Sequence, residues 1–289
     1  MTWILYALLA ALSFGLRGVS YQWTSQKTMN RSLMLCGVFF TGFVVSLFFL
    51  LVQKTPSNVS TSHILVGSGM GVLSFLANAA LYKGYAVGKA SLVSVLAGLP
   101  PLIVVILAYL FWKETLTAVQ LWSFFIIFVG IYLIRYSNDL SLKDLKGAQW
   151  GLLAALFFGF NDIMGKQSTR VEADMFVTLL LMFGVGTFLF LLSWLSNRHS
   201  RNQKTEALSW STARTFNVGM LVGLTNIGGM VAIITAFSTG PTGMVSAISA
   251  LSLLVVLFYT RFVLHVPFRP LELIGIGFAM TGLLLLRLF

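Results

Sequence analysis

Ionisable side chains inside long apolar runs are the residues of this sequence best suited to chemistry. Arg17 lies deep in the first run, and Asp162 and Lys166 lie one helical turn apart in the sixth. A charge at the centre of a bilayer costs about 2.5–3.5 kcal/mol, so such residues predict a functional site. The arginine fork suits carboxylate or phosphate, so one hypothesis is that Arg17 binds an anionic group of a solute.

Two alternatives for Arg17 stay open from the sequence. It could pair with Asp162 as a structural lock, or extend its guanidinium toward the nearer interface. Asp162 is the only acidic residue deep in any apolar run. Apolar surroundings favour its neutral form and would make it a candidate proton carrier. An ion pair with Arg17 or with Lys166, four residues further along the helix, would keep it charged.

Uncharged polar residues extend this candidate set along several runs. Tyr21 follows Arg17 by one turn, Asn78 and Tyr82 share one face of the third run, and Asn226 lies midway along the eighth. Such stripes either line a cavity or hold helices together by hydrogen bonds. The amides favour the cavity, since they need more partners than a hydroxyl. The predicted substrate-binding residues are Arg17, Tyr21, Asn78, Tyr82, Asn161, Asp162, Lys166 and Asn226.

The composition defines the elements that must position these residues. Of 289 residues, 57% are hydrophobic and only 9% are charged, against roughly 25% charged residues in a soluble domain. This excludes a soluble enzyme. The net charge of +11 is spread singly along apolar sequence, which argues against nucleic-acid binding. We therefore predict an integral, multi-pass protein of the bacterial plasma membrane with the lipid bilayer as its surroundings.

Ten apolar runs are long enough to cross a bilayer as helices. They are continuously apolar and do not alternate, so helices are favoured over a β-barrel. The fold prediction is an all-α membrane protein with ten transmembrane helices. The predicted spans are roughly 3–24, 32–52, 64–86, 90–112, 117–136, 148–169, 175–196, 214–238, 243–264 and 270–288.

The chain repeats itself. Residues 8–15 read LLAALSFG and residues 152–159 read LLAALFFG, with seven of eight identical at an offset of 144. Further along, an offset of 152 pairs Gly67 with Gly219 and Gly88 with Gly240. We predict two five-helix units, residues 1–137 and 147–289. Five is odd, so the second unit enters the membrane from the opposite side, as a 5+5 inverted repeat of the kind found in secondary transporters.

Two motifs resemble the drug/metabolite transporter superfamily, and specifically its EamA-type ten-helix permeases. In AALFFGFNDIMGK, Gly159, Asn161 and Lys166 match the pattern A-A-x-x-W-G-x-N followed by a lysine, whereas the first copy has Arg17 and Gln22 at the last two positions. The second motif is GKASLVSVLAGLPPLIVVILAYLFWKETLT, in which Ala90-Ser91, Pro101, Glu114 and Leu116-Thr117 fall in place. The resemblance implies a permease or exporter of a small metabolite and says little about which one.

The leading functional hypothesis is therefore a secondary-active transporter of a small polar metabolite, carboxylate-bearing if Arg17 binds it, working by alternating access. A coupling proton or a counter-substrate would be its partner, and the protein would be a monomer or a homodimer. We expect no enzyme activity, cofactor or metal, because the sequence has no P-loop and no histidine–cysteine cluster. The alternatives are an intramembrane lipid-modifying enzyme and a non-transporting membrane scaffold.

Overall fold

The computed structural model describes residues 2–25, 27, 29–53, 59–87, 93, 95–136, 147–201, 210–265 and 267–288. Within these ranges the secondary structure is helical, without a strand. The helices are α1 Thr2–Ser25, α2 Arg31–Gln53, α3 Thr61–Val87, α4 Pro100–Trp112, α5 Ala118–Tyr136, α6 Ala148–Arg170, α7 Met175–Arg201, α8 Thr212–Thr239, α9 Thr242–Ser249, α10 Ser252–Phe258, continued by a π-helical turn at Tyr259–Val263, and α11 Pro270–Leu288.

Six segments of the described chain are long and apolar enough to cross a membrane. They are α1, α2, α3, α7, α8 and the segment Thr242–Val263, which contains α9, α10 and the π-helical turn. Helices α4, α5 and α11 are apolar but shorter. Helix α6 has 23 residues but is the least apolar of the long helices, because its second half reads NDIMGKQSTR. The structure thus has the helices of a multi-pass membrane protein, and the count of ten spans stays a prediction.

Long helices pack in pairs that are distant in the sequence. Helix α8 packs against α1 and α2, helix α3 packs against α6 and α7, and α5 packs against α11. Glycines allow two of these close approaches. A Cβ at Gly71 would lie 2.6 Å from the Met182 carbonyl oxygen, and one at Gly219 would lie 2.2 Å from that of Met34. Gly71 and Gly219 belong to the pairs Gly67/Gly71 and Gly219/Gly223, whose GxxxG spacing is typical of close helix packing.

Two of the predicted spans are interrupted where a continuous helix was expected. The predicted span 90–112 has a turn at Ala97–Leu99, and α4 begins only at Pro100. Pro101 therefore lies in the first turn of a helix, where a missing N–H costs nothing, and it does not kink a helix interior. The predicted span 243–264 is interrupted at Ala250–Leu251, between α9 and α10. Gly88 of the sequence repeat, and Ala90 and Ser91 of the second family motif, lie outside the described residues.

Candidate functional site

A cavity of about 200 Å³ lies where these interruptions meet α1, α3, α6 and α8. Six of the eight predicted substrate-binding residues line it: Arg17, Tyr21, Asn78, Asn161, Asp162 and Asn226. The backbone breaks contribute Ala97, Gly98 and Ala250 to the same wall. The rest of the wall is mostly apolar, with Phe14, Phe39, Phe158, Met182, Met230 and Ile233.

Arg17 joins α1 to α8 at the edge of this cavity. Its Nη1 donates a hydrogen bond to Oδ1 of Asn226. Its guanidinium carbon lies 4.7 Å from the ring centre of Phe14 and 5.8 Å from that of Tyr21. Both rings are thus within the range of a cation–π contact with the guanidinium. Arg17 is only partly buried, because the cavity runs alongside it.

Asn161 and Asp162 project from the middle of α6 into the cavity. Oδ1 of Asn161 accepts a hydrogen bond of 3.1 Å from the hydroxyl of Ser74. This contact links α3 to α6 through neutral groups, and within α3 the Asn78 amide donates to the Ser74 carbonyl at 2.7 Å. Oδ2 of Asp162 accepts from the hydroxyl of Ser246 at 2.6 Å. This contact ties α6 to the short helix α9.

Of the alternatives left open for Asp162, the structure contains neither the ion pair with Arg17 nor the one with Lys166. An ion pair in the described part of the chain joins Arg261 to Glu272, neither of which lines the cavity. Lys166 points away from Asp162, and its Nζ donates to the carbonyls of Phe237 at 2.6 Å and Gly240 at 3.1 Å. Carbonyls at a helix C-terminus lack intrahelical partners and attract cations. The Lys166 ammonium group therefore binds at the C-terminal end of α8 and not at Asp162.

Lys166 and Tyr82 do not line the cavity, in contrast to the sequence-based expectation. Lys166 lies beyond it, at the junction of α8 and α9. Tyr82 packs against the hydrophobic core, with the Arg31 guanidinium 5.4 Å from its ring centre. Both residues lie on the predicted helices, but periodicity does not specify which neighbour a long side chain reaches.

The contact of Glu114 with the start of α9 was not predicted from the sequence. It lies in the segment between α4 and α5, and its carboxylate accepts from the backbone N–H and, at 2.7 Å, from the hydroxyl of Thr242. Thr242 is the first residue of α9 and is fully buried. A carboxylate is favourable at a helix N-terminus. We call Lys166, Glu114 and Thr242, with the carbonyls of Phe237 and Gly240, the end clasp.

Three serines of the ninth predicted span, Ser246, Ser249 and Ser252, also line the cavity. Ser246 at the same time forms the hydrogen bond between α9 and α6. The backbone break at Ala250 lies between Ser249 and Ser252. The sequence signal for the matching break in the fourth span was Gly98-Leu99-Pro100-Pro101.

Within the described residues, no group of three His, Cys, Asp or Glu side chains is placed to hold a metal ion.

The profile of the EamA-like transporter family matches residues 1–136 and again residues 145–288. The uncharacterized transporter YxxF of Bacillus subtilis (strain 168) is 29% identical over 114 residues, a match that covers 38% of this chain and 36% of that protein. An uncharacterized protein of Methanocaldococcus jannaschii is 33% identical over 141 residues, covering 47% of this chain and 98% of that protein.

Several solved structures match this chain, among them a crystal structure that is similar in fold over nearly its whole length. It is 13% identical to this chain, and the superposition covers 99% of this chain and 96% of the other, with a TM-score of 0.78. At this low identity the likeness concerns the arrangement of helices alone. The cavity residues described above are therefore argued from this chain's own geometry.

Proposed function

Because this chain belongs to the EamA-like transporter family, we propose that it moves a small, polar, carboxylate-bearing metabolite across the membrane by secondary-active alternating access. The family membership and the six apolar helices make it an integral, multi-pass membrane transporter. A membrane transporter implies a small-molecule substrate and a lipid bilayer. The nature of the solute and the mechanism are the parts that we propose.

The position of Arg17 on the cavity wall is the observation that supports a carboxylate-bearing solute. A guanidinium has five N–H donors in a planar fork. Among the described residues, hydrogen bonding engages one of its nitrogens, with Asn226 as the acceptor. The cavity beside it is lined by further polar groups, among them Tyr21 and Asn78. A carboxylate entering the cavity would meet donors in the geometry that favours bidentate binding.

The proposal of alternating access rests on the correspondence between the two halves of the chain. The breaks at Gly98 and Ala250 differ by 152 positions, the offset of the sequence repeat. The packing of α3 against α6 and α7 corresponds to that of α8 against α1 and α2. This correspondence supports two units, 1–137 and 147–289, in opposite orientations. Broken helices around a midplane site are typical of transporters built on such repeats.

Asp162 is the residue that we propose for coupling. Its carboxyl faces the cavity and is hydrogen-bonded to a neutral hydroxyl, so a proton or the cationic group of a counter-substrate can reach it. Uptake into vesicles with and without an imposed pH gradient tests the proton. An equal rate of uptake under both conditions would contradict proton coupling. Exchange against a counter-substrate would then remain as the proposed mechanism.

The test of the function is transport by the purified protein reconstituted into vesicles. We expect a labelled small carboxylate to accumulate unmodified, and Arg17→Ala to reduce its uptake at least tenfold, since a charge-assisted hydrogen bond contributes about 1.5–3 kcal/mol. A neutral solute of the same size should lose much less. Equal losses for both solutes would contradict anion binding by Arg17. Conversion of an added lipid to a product would indicate an enzyme, and unchanged behaviour of Arg17→Ala and Asn161→Ala would indicate a scaffold.

A further inference from the structure

The two ends of the cavity differ in how tightly the surrounding helices are packed. At the end that holds the end clasp, every residue of α9, Thr242–Ser249, is buried. Trp3 packs against Gly240 at this end, since a Cβ on that glycine would lie 2.9 Å from the indole carbon Cδ2. The N-terminal half of α1 therefore lies at the clasp end, and its face with Ala7 and Ala11 is buried. This end of the cavity is closed.

At the opposite end, α1 has no fully enclosed side. Its residues 17–22 are all partly exposed. Because a helical turn takes about 3.6 residues, this stretch covers the whole circumference of the helix. Two of its residues, Arg17 and Tyr21, line the cavity. The cavity is therefore open toward the C-terminal end of α1 and closed toward the end clasp.

The end clasp closes its end through contacts between the two halves of the chain. Glu114, from the segment between α4 and α5, binds the start of α9. Lys166, from α6, binds two carbonyls at the end of α8. The charges suit the helix ends, with a carboxylate at an N-terminus and an ammonium group at a C-terminus. Both side chains are partly exposed, so water can replace their partners when this end opens.

The sequence repeat does not provide the same pair of charges at the other end. Lys166 corresponds to Gln22 at the offset of 144, and Glu114 corresponds at the offset of 152 to Val266, which lies outside the described residues. Gln22 lies at the open end, where its Oε1 accepts a hydrogen bond of 3.2 Å from the hydroxyl of Thr260. A hydrogen bond that involves an ion is roughly twice as strong as a neutral one. The clasp end thus has the stronger contacts.

Resting on the proposed alternating access, we infer that the end clasp is a one-sided gate. Its ionic contacts hold the solute-free protein with the cavity closed at the clasp and open at the C-terminal end of α1. For the clasp end to open, Lys166 must leave the carbonyls of Phe237 and Gly240, and Glu114 must leave Thr242. Because the neutral contact at the other end is weaker, the solute-free protein favours the state that is closed at the clasp.

The experiment measures which end is open from the reactivity of single cysteines in the purified, full-length protein. Cys36, the single cysteine of the sequence, is replaced by alanine. Val245→Cys reports on the clasp end, because Val245 is fully buried and lies within one turn of Thr242. Ser20→Cys reports on the open end, where Ser20 is partly exposed. A charged thiol reagent in detergent solution should label Val245→Cys slowly and Ser20→Cys rapidly.

Substitutions in the clasp test the gate without any solute. Lys166→Gln, which introduces the amide found in the first copy, should raise the labelling rate of Val245→Cys at least tenfold and lower that of Ser20→Cys. Glu114→Gln should shift both rates in the same directions by a smaller factor. Lys166→Arg should keep the original rates, since a guanidinium also donates to carbonyls. Lys113→Gln is the matched control, because Lys113 is an exposed cation next to Glu114 and outside the clasp.

The outcomes separate the gate from a loss of structure and from the proposed function. Opposite changes at the two reporters support the gate. Faster labelling of Val245→Cys without slower labelling of Ser20→Cys would indicate loosened packing and overturn the inference, as would an unchanged rate for Val245→Cys. The labelling needs no solute, so opposite changes in a protein that transports none would contradict transport but not the gate. Solute uptake together with unchanged labelling rates would contradict the gate but not transport.

Discussion

The cavity and the end clasp use the same kinds of residue in opposite ways. In the end clasp, Lys166 and Glu114 bind backbone groups at the adjoining ends of α8 and α9. In the cavity, Arg17 and Asp162 are held by side-chain amide and hydroxyl groups beside open space. A charged group whose partners are fixed backbone atoms stabilises one arrangement of helices. A charged group beside a cavity retains capacity to bind a solute.

Residues of the cavity and residues of the end clasp also lie one helical turn apart on the same two helices. Asp162 and Lys166 are one turn apart on α6, and Thr242 and Ser246 are one turn apart on α9. Each of these two helices therefore contributes residues both to the cavity and to the clasp. This arrangement links the geometry of the solute site to the junction at Gly240–Pro241. Substitutions should separate the two regions into one that affects stability and one that affects transport.

The largest expected effect on stability belongs to Lys166→Met. It removes two charge-assisted hydrogen bonds, each contributing about 1.5–3 kcal/mol, and leaves the carbonyls of Phe237 and Gly240 without this donor. We expect the free energy of unfolding to fall by about 3 kcal/mol or more, read as a lower thermal unfolding midpoint in detergent. Arg17→Ala should cost distinctly less. An equal or larger loss for Arg17→Ala would abolish the distinction between clasp and cavity.

Glu114→Gln should produce an intermediate effect. The amide nitrogen cannot accept, so one of the two hydrogen bonds from Thr242 is lost together with the negative charge at the start of α9. We expect a loss of about 1–2 kcal/mol of stability, measured by the same thermal unfolding, with solute preference unchanged. Glu172→Gln, at an exposed position, is the control. A changed solute preference in Glu114→Gln would place the clasp in the binding site.

Ser246→Ala should have the smallest effect on stability, about 1 kcal/mol, because it removes a single hydrogen bond to a carboxyl group that faces the cavity. Its effect should appear in transport as a change of a few-fold in uptake, since it releases the Asp162 carboxylate from its hydrogen bond. The control is Ser123→Ala, whose buried hydroxyl has no hydrogen-bond partner among the described residues, and which should be neutral or slightly stabilising. Unchanged uptake in Ser246→Ala would mean that the serine does not position Asp162.

Much of the arrangement was predictable from the sequence. The family resemblance in AALFFGFNDIMGK agrees with the family to which the chain belongs. The apolar runs predicted a helical, multi-pass membrane protein, because the bilayer permits few alternatives. Polar residues within those runs included six of the residues that line the cavity, among them Arg17 and Asn226. Burying a polar group in lipid is costly, so its presence in the sequence is already informative.

The partners of these residues were decided only by the tertiary structure. From the sequence, Asp162 could pair with Lys166, with Arg17 or with neither, and the helix packing selects a neutral serine on α9. Long side chains such as that of Lys166 reach several neighbours from one helix position, so their contacts depend on which helix end lies nearby. The break at Ala250 likewise depends on packing, because its segment is apolar enough to continue as a helix, whereas the break at Gly98 has a local cause in the two prolines that follow it. Composition and periodicity thus determined the environment of each residue, and only the fold determined its neighbours.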